Sequence, residues 1–438
     1  MADAASSARP THIDLLPQDD SGLLARLGPG LITGAADDDP SGIATYSQVG
    51  AQFGFGMLWT MLFTFPLMAA MQEVCGRLGR ITGEGIASSL RKNYPRPLLL
   101  GLVSLLCVAN IFNIGADITA MGSCAQLLLK GPANLYALLF GVVSLVLQVW
   151  IPYRKYVHYL KWLTLVLFAY VATAFVIHVP WRETIYRTVV PSVSWNKDYF
   201  MALVAVLGTT ISPYLFFWQT SQEAEEVQLH HGQEPLKKKP SQALKQFRRI
   251  ALDTRVGMAF SNIVAFFIIL TTAITLHAHS AGNINTAADA AKALEPLAGR
   301  LAFLLFALGI IGTGLLAIPV LAGSAAYEVA ETFQWRASLE SKPGRAPKFY
   351  WVIIAATGIG LALTFLGLNP IRALFLSAVV NGVVAVPLMV VLMLLSENKR
   401  IVGKFRLPSH LRIGGWIATA VMLAASLAFL AAQFLSHS

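Results

Sequence analysis

Polar and apolar positions along this chain are segregated on a coarse scale, with long apolar stretches separated by short polar ones. Eleven such stretches stand out, near 30–50, 57–75, 98–129, 134–151, 156–178, 199–219, 255–277, 300–321, 349–366, 372–395 and 413–435. Most run for roughly 18–25 residues, the length of helix that crosses about 30 Å of hydrocarbon. The third is longer and is expected to tilt or protrude. The pattern predicts an all-α polytopic membrane protein with 11 transmembrane helices in a single domain over 28–435. Residues 1–27 are polar, lack the apolar core of a cleavable signal peptide, and read as a disordered cytoplasmic arm. The longest polar insert, Gln222 to Leu252, carries Glu223, Glu225, Glu226, His230-His231 and Lys237 to Lys239, and reads as a solvated loop. The Ala-rich stretch 279–298 reads as an outer amphipathic segment.

Two stretches are interrupted at mid-span. The first reads Gly28-Pro29-Gly30, then LITGAA, then Asp37-Asp38-Asp39-Pro40-Ser41-Gly42. One Asp at the centre of a membrane helix costs roughly 2.5–3.5 kcal/mol on insertion scales. Three in a row persist only against water, a cation or a counter-charge. Pro40 removes a backbone donor and clashes with the preceding turn, and Gly42 permits non-helical angles. The helix is therefore predicted to unwind from Asp39 to Gly42, freeing carbonyl oxygens beside a carboxylate. The sixth stretch reads Gly208-Thr209-Thr210-Ile211-Ser212-Pro213-Tyr214. Its break is predicted to expose the carbonyls of Thr209 and Thr210 and the Ser212 hydroxyl. Interrupted helices at corresponding positions of two five-span halves point to an inverted-repeat transporter with its site near the bilayer midplane. The first repeat is placed at 28–178, the second at 199–395, and 413–435 is an extra C-terminal helix. A proline kink without further role is the plainer reading of either break, and it weighs more at the sixth stretch, which has no acid.

Composition narrows the class further. Of 438 residues only 13% are charged, 55% are hydrophobic, and the mean hydropathy is +0.60. Soluble domains carry about 25% charged residues, so a soluble enzyme, a disordered scaffold and a disulfide-rich fold are excluded. Cys75, Cys107 and Cys124 lie in apolar stretches without the clustered spacing of a zinc site. The formal net charge of +10 is mostly a topology signal rather than a nucleic-acid footprint. With the N-terminus inside, 25 of the 33 Lys and Arg fall on the inner side. Only seven (Lys130, Arg182, Arg187, Lys197, Lys292, Arg300, Arg372) fall outside, and Lys161 lies within the fifth stretch. The positive-inside rule then puts the N-terminus in the cytoplasm and the C-terminus outside a bacterial-type inner membrane. The expected partners are the lipid bilayer and a transported ion, with no nucleic acid; the oligomeric state is open, a monomer included.

Carboxylate, hydroxyl and carbonyl oxygens together suit a hard divalent cation, and neither break has a Met or Cys in its sequence. Asp117 is a further intramembrane acid, with Asn110 and Asn113 on roughly the same helical face. It is read either as a proton relay or as a carboxylate hydrogen-bonded to neighbouring helices that never titrates. Asn381 is read as a ligand or as helix–helix glue. His230-His231 form a weak metal pair, because adjacent residues diverge on a helix.

Three local patterns carry a family resemblance. Eight residues separate Gly28-Pro29-Gly30 from Asp39-Pro40, which is followed by Ala44-Thr45 and Gly50-Ala51-Gln52-Phe53-Gly54. Gln72, Arg77-Leu78-Gly79 and Thr82-Gly83 close the second span, and Gly208-x-Thr210-x-x-Pro213 lies in the sixth. On these the chain resembles the NRAMP (natural resistance-associated macrophage protein) family of divalent metal transporters, which has the LeuT-type fold. The resemblance implies Asp39 as a retained cation ligand and Asp117 as the family's third-span acid. Where the family has Asp-Pro-Gly-Asn, this chain has Asp39-Pro40-Ser41-Gly42; where it has Met-Pro-His, this chain has Ser212-Pro213-Tyr214. A second third-span acid is replaced by Ala120, and a span-10 Gln falls at Ala378. The loss of the Asn and Met ligands is similar to a divergent NRAMP-related branch in which that loss accompanies Mg²⁺ transport. Asp37 and Asp38 are additional carboxylates suited to a partly hydrated ion, as Mg²⁺ prefers.

The resulting expectation is a secondary transporter, not an enzyme, that moves a Mg²⁺- or Mn²⁺-like cation by alternating access, its proton coupling in question. The expected metal ligands are Asp39, the Ser212 hydroxyl, the Thr209 carbonyl, Asp38 and the Gly42 backbone. Asp37, Asp117, Tyr214 and Asn381 are expected on the pathway or a proton relay. No resident cofactor is expected, since the cation is the substrate. One alternative is a symporter of the same fold for a cationic or polar organic solute. Another is an intramembrane aspartyl protease, which needs Asp39 and Asp117 within hydrogen-bonding distance.

Overall fold

The computed structural model describes residues 33–34, 36–151, 160, 162–229, 233–277, 284–340 and 343–435. The arm 1–27, Gly28-Pro29-Gly30, the start of the fifth stretch with Lys161, His230-His231 and the first residues of the 279–298 segment lie outside the described residues. Within them every regular element is a helix.

Asp39 and Pro40 start a helix. Asp39 is the N-cap of α1 (Pro40–Phe53), with extended backbone and a side chain that accepts from the Gly42 N–H. Proline is at home at the first helical position, where its missing N–H would have no partner anyway. This corrects the expected unwinding from Asp39 to Gly42. The interruption precedes Pro40, at Asp38 and Asp39, while Ser41 and Gly42 are helical. A turn of 108° then leads into α2 (Trp59–Thr82).

α3 (Arg96–Leu129) has 34 residues, about 51 Å at 1.5 Å per residue, so it must tilt or protrude as its length implied. α4 (Ala133–Trp150) follows, and the described part of the fifth stretch ends in α5 (Phe168–Val176). The sixth stretch is two helices, α6 (Lys197–Thr210) and α7 (Pro213–Leu229), parted at Ile211 and Ser212. α8 (Ala243–Thr275), α9 (Ala302–Thr332), α10 (Pro347–Leu363), α11 (Pro370–Glu397) and α12 (Ser409–Leu435) complete the bundle.

Eight helices among the described residues are long and apolar enough to cross a membrane, or nine if α1 and α2 count as one bent span. The stretches without a span of their own are the first, second and fifth: α1 and α2 qualify only as a bent pair, and the fifth is only partly described. Large apolar side chains face outward, among them Val108, Leu139, Phe175, Ile263 and Leu427, the surface of a protein solvated by lipid. The expected solvated loop from Gln222 is corrected: α7 runs on to Leu229 and α8 begins at Ala243. Glu223 is fully buried there because Arg249 of α8 donates to it at 2.5 Å. Likewise α9 continues eleven residues beyond the expected end at 321 and buries Glu328.

α1 packs against α8 and α11 and also touches α6 and α3. Its approach to α8 rests on glycine. A Cβ on Gly34, just before α1, would fall 2.3 Å from the carbonyl carbon of Gly257, so this contact requires glycine at 34. The start of α1 and the α6–α7 break therefore face each other, with α3 and α8 as flanking walls.

Candidate functional site

Asp39, at 2% exposure, accepts hydrogen bonds on both carboxylate oxygens. Ser41 Oγ and the Gly42 N–H each donate to Oδ1 at 2.7 Å. Asn113 Nδ2 of α3 donates to Oδ2 at 3.0 Å, and the Tyr214 hydroxyl lies 3.4 Å from the same oxygen. The Tyr214 hydroxyl also reaches the Ala36 carbonyl at 3.1 Å, so Tyr214 of α7 bridges the two sides of the α1 interruption.

Asp37 and Asp38 point elsewhere. Ser261 Oγ of α8 lies 2.8 Å from Asp37 Oδ2 and 2.9 Å from Asp38 Oδ1. One hydroxyl carries one proton, so it cannot donate to both; the second contact needs a carboxyl proton or a cation. Ser212 Oγ donates to the Thr209 carbonyl at 2.7 Å and stands 3.4 Å from Asp37 Oδ1. The break in the sixth stretch is thus tied to Asp37, while Thr209 Oγ1 donates to the Tyr46 hydroxyl of α1 at 3.1 Å. Among the described residues, no group of three or more His, Cys, Asp or Glu is arranged to hold a metal ion. A cation here must draw on hydroxyl, amide and carbonyl oxygens as well as carboxylates.

Several buried polar atoms have no hydrogen-bond partner among the described residues: Asp38 Oδ2, both oxygens of Asp117, Oδ1 of Asn110 and Asn113, and Oδ1 of Asn381 on α11. Such atoms are rare in folded proteins because each forfeits its hydration without replacement. For Asp117 this removes the hydrogen-bonded structural role considered from sequence. It also removes the protease dyad, since Asp117 shares no hydrogen bond with Asp39. No Lys or Arg pairs with Asp37, Asp38, Asp39 or Asp117 among the described residues.

Ser212, Thr209, Tyr214, Asp37, Asp38 and Asp39 are thus brought together, whereas Asn381 shares no hydrogen bond with them among the described residues. Gly42 contributes its N–H to Asp39. Sequence reasoning missed Ser261, Tyr46 and Ser41, whose residue types carry no signal within an apolar stretch. It noticed Asn113 only as a neighbour of Asp117. It also found no sulfur at the breaks, but in space a Cβ on Gly314 would meet Met121 Sδ at 2.5 Å and Pro40 Cγ at 3.3 Å, so a thioether flanks the start of α1.

Comparison with known proteins returns one family model, described as natural resistance-associated macrophage protein-like, matching residues 30–432. Relatives include the divalent metal cation transporter MntH of Klebsiella pneumoniae (strain 342), 24% identical over 413 residues, covering 91% of this chain and 92% of the relative. MntH of Acidiphilium cryptum (strain JF-5) is 24% identical over 388 residues, covering 86% and 83%. Among solved structures, the Eremococcus coleocola manganese transporter in complex with an aromatic bis-isothiourea substituted compound superposes with a TM-score of 0.71 at 17% identity, covering 94% of this chain and 88% of its own. Mhp1, a nucleobase-cation-symport-1 family transporter in a closed conformation, superposes with a TM-score of 0.59 at 14% identity, covering 93% and 92%. The chain shares their fold.

Proposed function

The chain belongs to the natural resistance-associated macrophage protein-like family, and on that premise we propose that it is a secondary transporter of a divalent metal cation. It works by alternating access in a bacterial-type cytoplasmic membrane. The observation that carries this reading is a set of four buried acids, Asp37, Asp38 and Asp39 at the first helix interruption and Asp117 on the flanking α3, with no basic partner among the described residues. In an apolar interior such charge calls for a cation. Asp39 is the principal ligand, assisted by the Ser212 hydroxyl, the Thr209 carbonyl, Asp38 and the Gly42 backbone. Asp37, Asp117, Tyr214 and Asn381 line the pathway. Oxygen ligands favour a hard ion of the Mg²⁺ or Mn²⁺ kind.

In this reading the chain crosses the membrane eleven times, with repeats at 28–178 and 199–395, an extra helix at 413–435, the N-terminal arm inside and the C-terminus outside. The first span is α1 together with the residues before Asp39, and the fifth includes α5. The test is flux into proteoliposomes with Mg²⁺, Ca²⁺ and Mn²⁺, with and without a pH gradient. Uptake of at least one cation is expected, and acidification of the lumen would establish coupling. Uptake of none of them, with heat released on titration of an organic amine, would favour the organic-cation symporter instead.

A further inference from the structure

The family pattern has an amide ligand four positions into its first-span motif, and here that position is Gly42. An amide nevertheless stands at the carboxylate. Asn113 of α3 is completely buried, and its Nδ2 lies 3.0 Å from Asp39 Oδ2. Its Oδ1 has no hydrogen-bond partner among the described residues. A carboxamide buried with one end engaged and the other unpaired is half satisfied, an arrangement that wastes the oxygen unless something else uses it. Turning the amide about its last bond exchanges the two ends and lays Oδ1 against Asp39 Oδ2. That turned form is repulsive alone and favourable only with a cation between the two oxygens. Asp117 sits one turn further along α3, on the same face, with both oxygens also unpaired.

We propose that Asn113 is a cation ligand, its Oδ1 sharing with Asp39 the ion that the motif's own amide would hold in the family pattern. This rests on the reading of Asp39 as the principal ligand. In the ion-free state the Asn113 N–H₂ end holds Asp39 in place. In the bound state the amide turns and the oxygen coordinates. α3 thereby becomes a ligand-bearing wall of the site, and the ion sits between α1 and α3 as well as between the two helix interruptions.

The test is calorimetric titration of the purified full chain with Mg²⁺, Mn²⁺ and Cd²⁺. Asn113→Ala is expected to weaken Mg²⁺ binding tenfold or more. Asn113→Asp, which keeps an oxygen and loses the N–H donor, is expected to bind within threefold of the unaltered chain or tighter. Asn113→Cys is expected to raise Cd²⁺ affinity relative to Mg²⁺ by at least tenfold, a signature that mere positioning of Asp39 would not produce. If Asn113→Ala elutes as aggregate, the Asp and Cys variants carry the test. Asn113→Asp weakening binding tenfold or more, or an unchanged Cd²⁺/Mg²⁺ ratio in Asn113→Cys, overturns the proposal. Asp39→Ala separates the two levels of the argument. If it abolishes binding while the Asn113 variants bind normally, the α3 ligand falls and the Asp39 site stands. If it leaves binding intact, the Asp39 reading itself falls.

Discussion

Two groups of buried acids in this molecule are treated in opposite ways. Between α2 and α8, Glu73 accepts from Arg77 and Arg255 at 2.7 and 3.1 Å. Glu223 and Glu226 meet Arg249 at 2.5 and 3.3 Å. Each of these three acids has a guanidinium partner, and the Arg255–Glu73 and Arg249–Glu223 pairs cross between helices. At the centre, Asp37, Asp38 and Asp39 have only hydroxyl, amide and backbone donors, and Asp117 has none. The same chain can therefore neutralise buried carboxylates internally, as it does at these three acids. At the centre it leaves the charge to be met from outside. Intramembrane acids without partners are expected where an ion passes.

The comparison breaks first at Asp39. Asp39→Asn keeps an N-cap and its hydrogen bonds from Gly42 and Ser41, so thermal unfolding in detergent is expected to change little, while cation uptake into proteoliposomes is lost. Uptake near the unaltered level would remove the distinction between the two groups. Arg249→Leu should behave in the reverse way, destabilising the fold by about 3 kcal/mol because Glu223 is left buried and uncompensated. A melting midpoint unmoved by that change would mean the ion pairs are ornamental. Ser261→Ala removes the hydroxyl shared by Asp37 and Asp38. Several-fold lower uptake with near-normal melting is expected, whereas lost stability with normal uptake would move Ser261 to the structural group. The smallest effect should come from Ser212→Met, which adds a soft ligand beside the break. The uptake ratio of Mn²⁺ or Cd²⁺ to Mg²⁺ should rise a few-fold, and an unchanged ratio would count against Ser212 as a ligand.

Much of the centre was legible in the sequence, because proline and adjacent acids inside an apolar stretch admit few explanations. Asp39-Pro40 and Ser212-Pro213 were located on those grounds. Their direction was less legible: whether a proline ends a helix or begins one depends on what caps it, and here the cap is Asp39's own carboxylate. The walls were not legible. Ser261 lies 224 positions from Asp37, and a serine within an apolar run looks the same whether it faces a carboxylate or its own helix. The C-terminal ends of α7 and α9 were read as loop because hydropathy falls at the first acids. Burial there depends on partners far along the chain, such as Tyr327 for Glu225, 102 positions away.

The contact between Gly34 and Gly257 has a consequence for speed. Where helices interlock through side chains, separating the surfaces requires rotamers to change before anything can move. At this seam two bare backbones meet, and a Cβ on Gly34 would already fall 2.3 Å from Gly257. No side chain is interposed at that point, so the seam is held by dispersion between backbones and, a turn away, by the Ser261 hydroxyl against Asp37 and Asp38. In the proposed transport cycle the segment before α1 is then held to α8 by the Ser261 hydroxyl rather than by interlocked side chains, which leaves the pace to those oxygens.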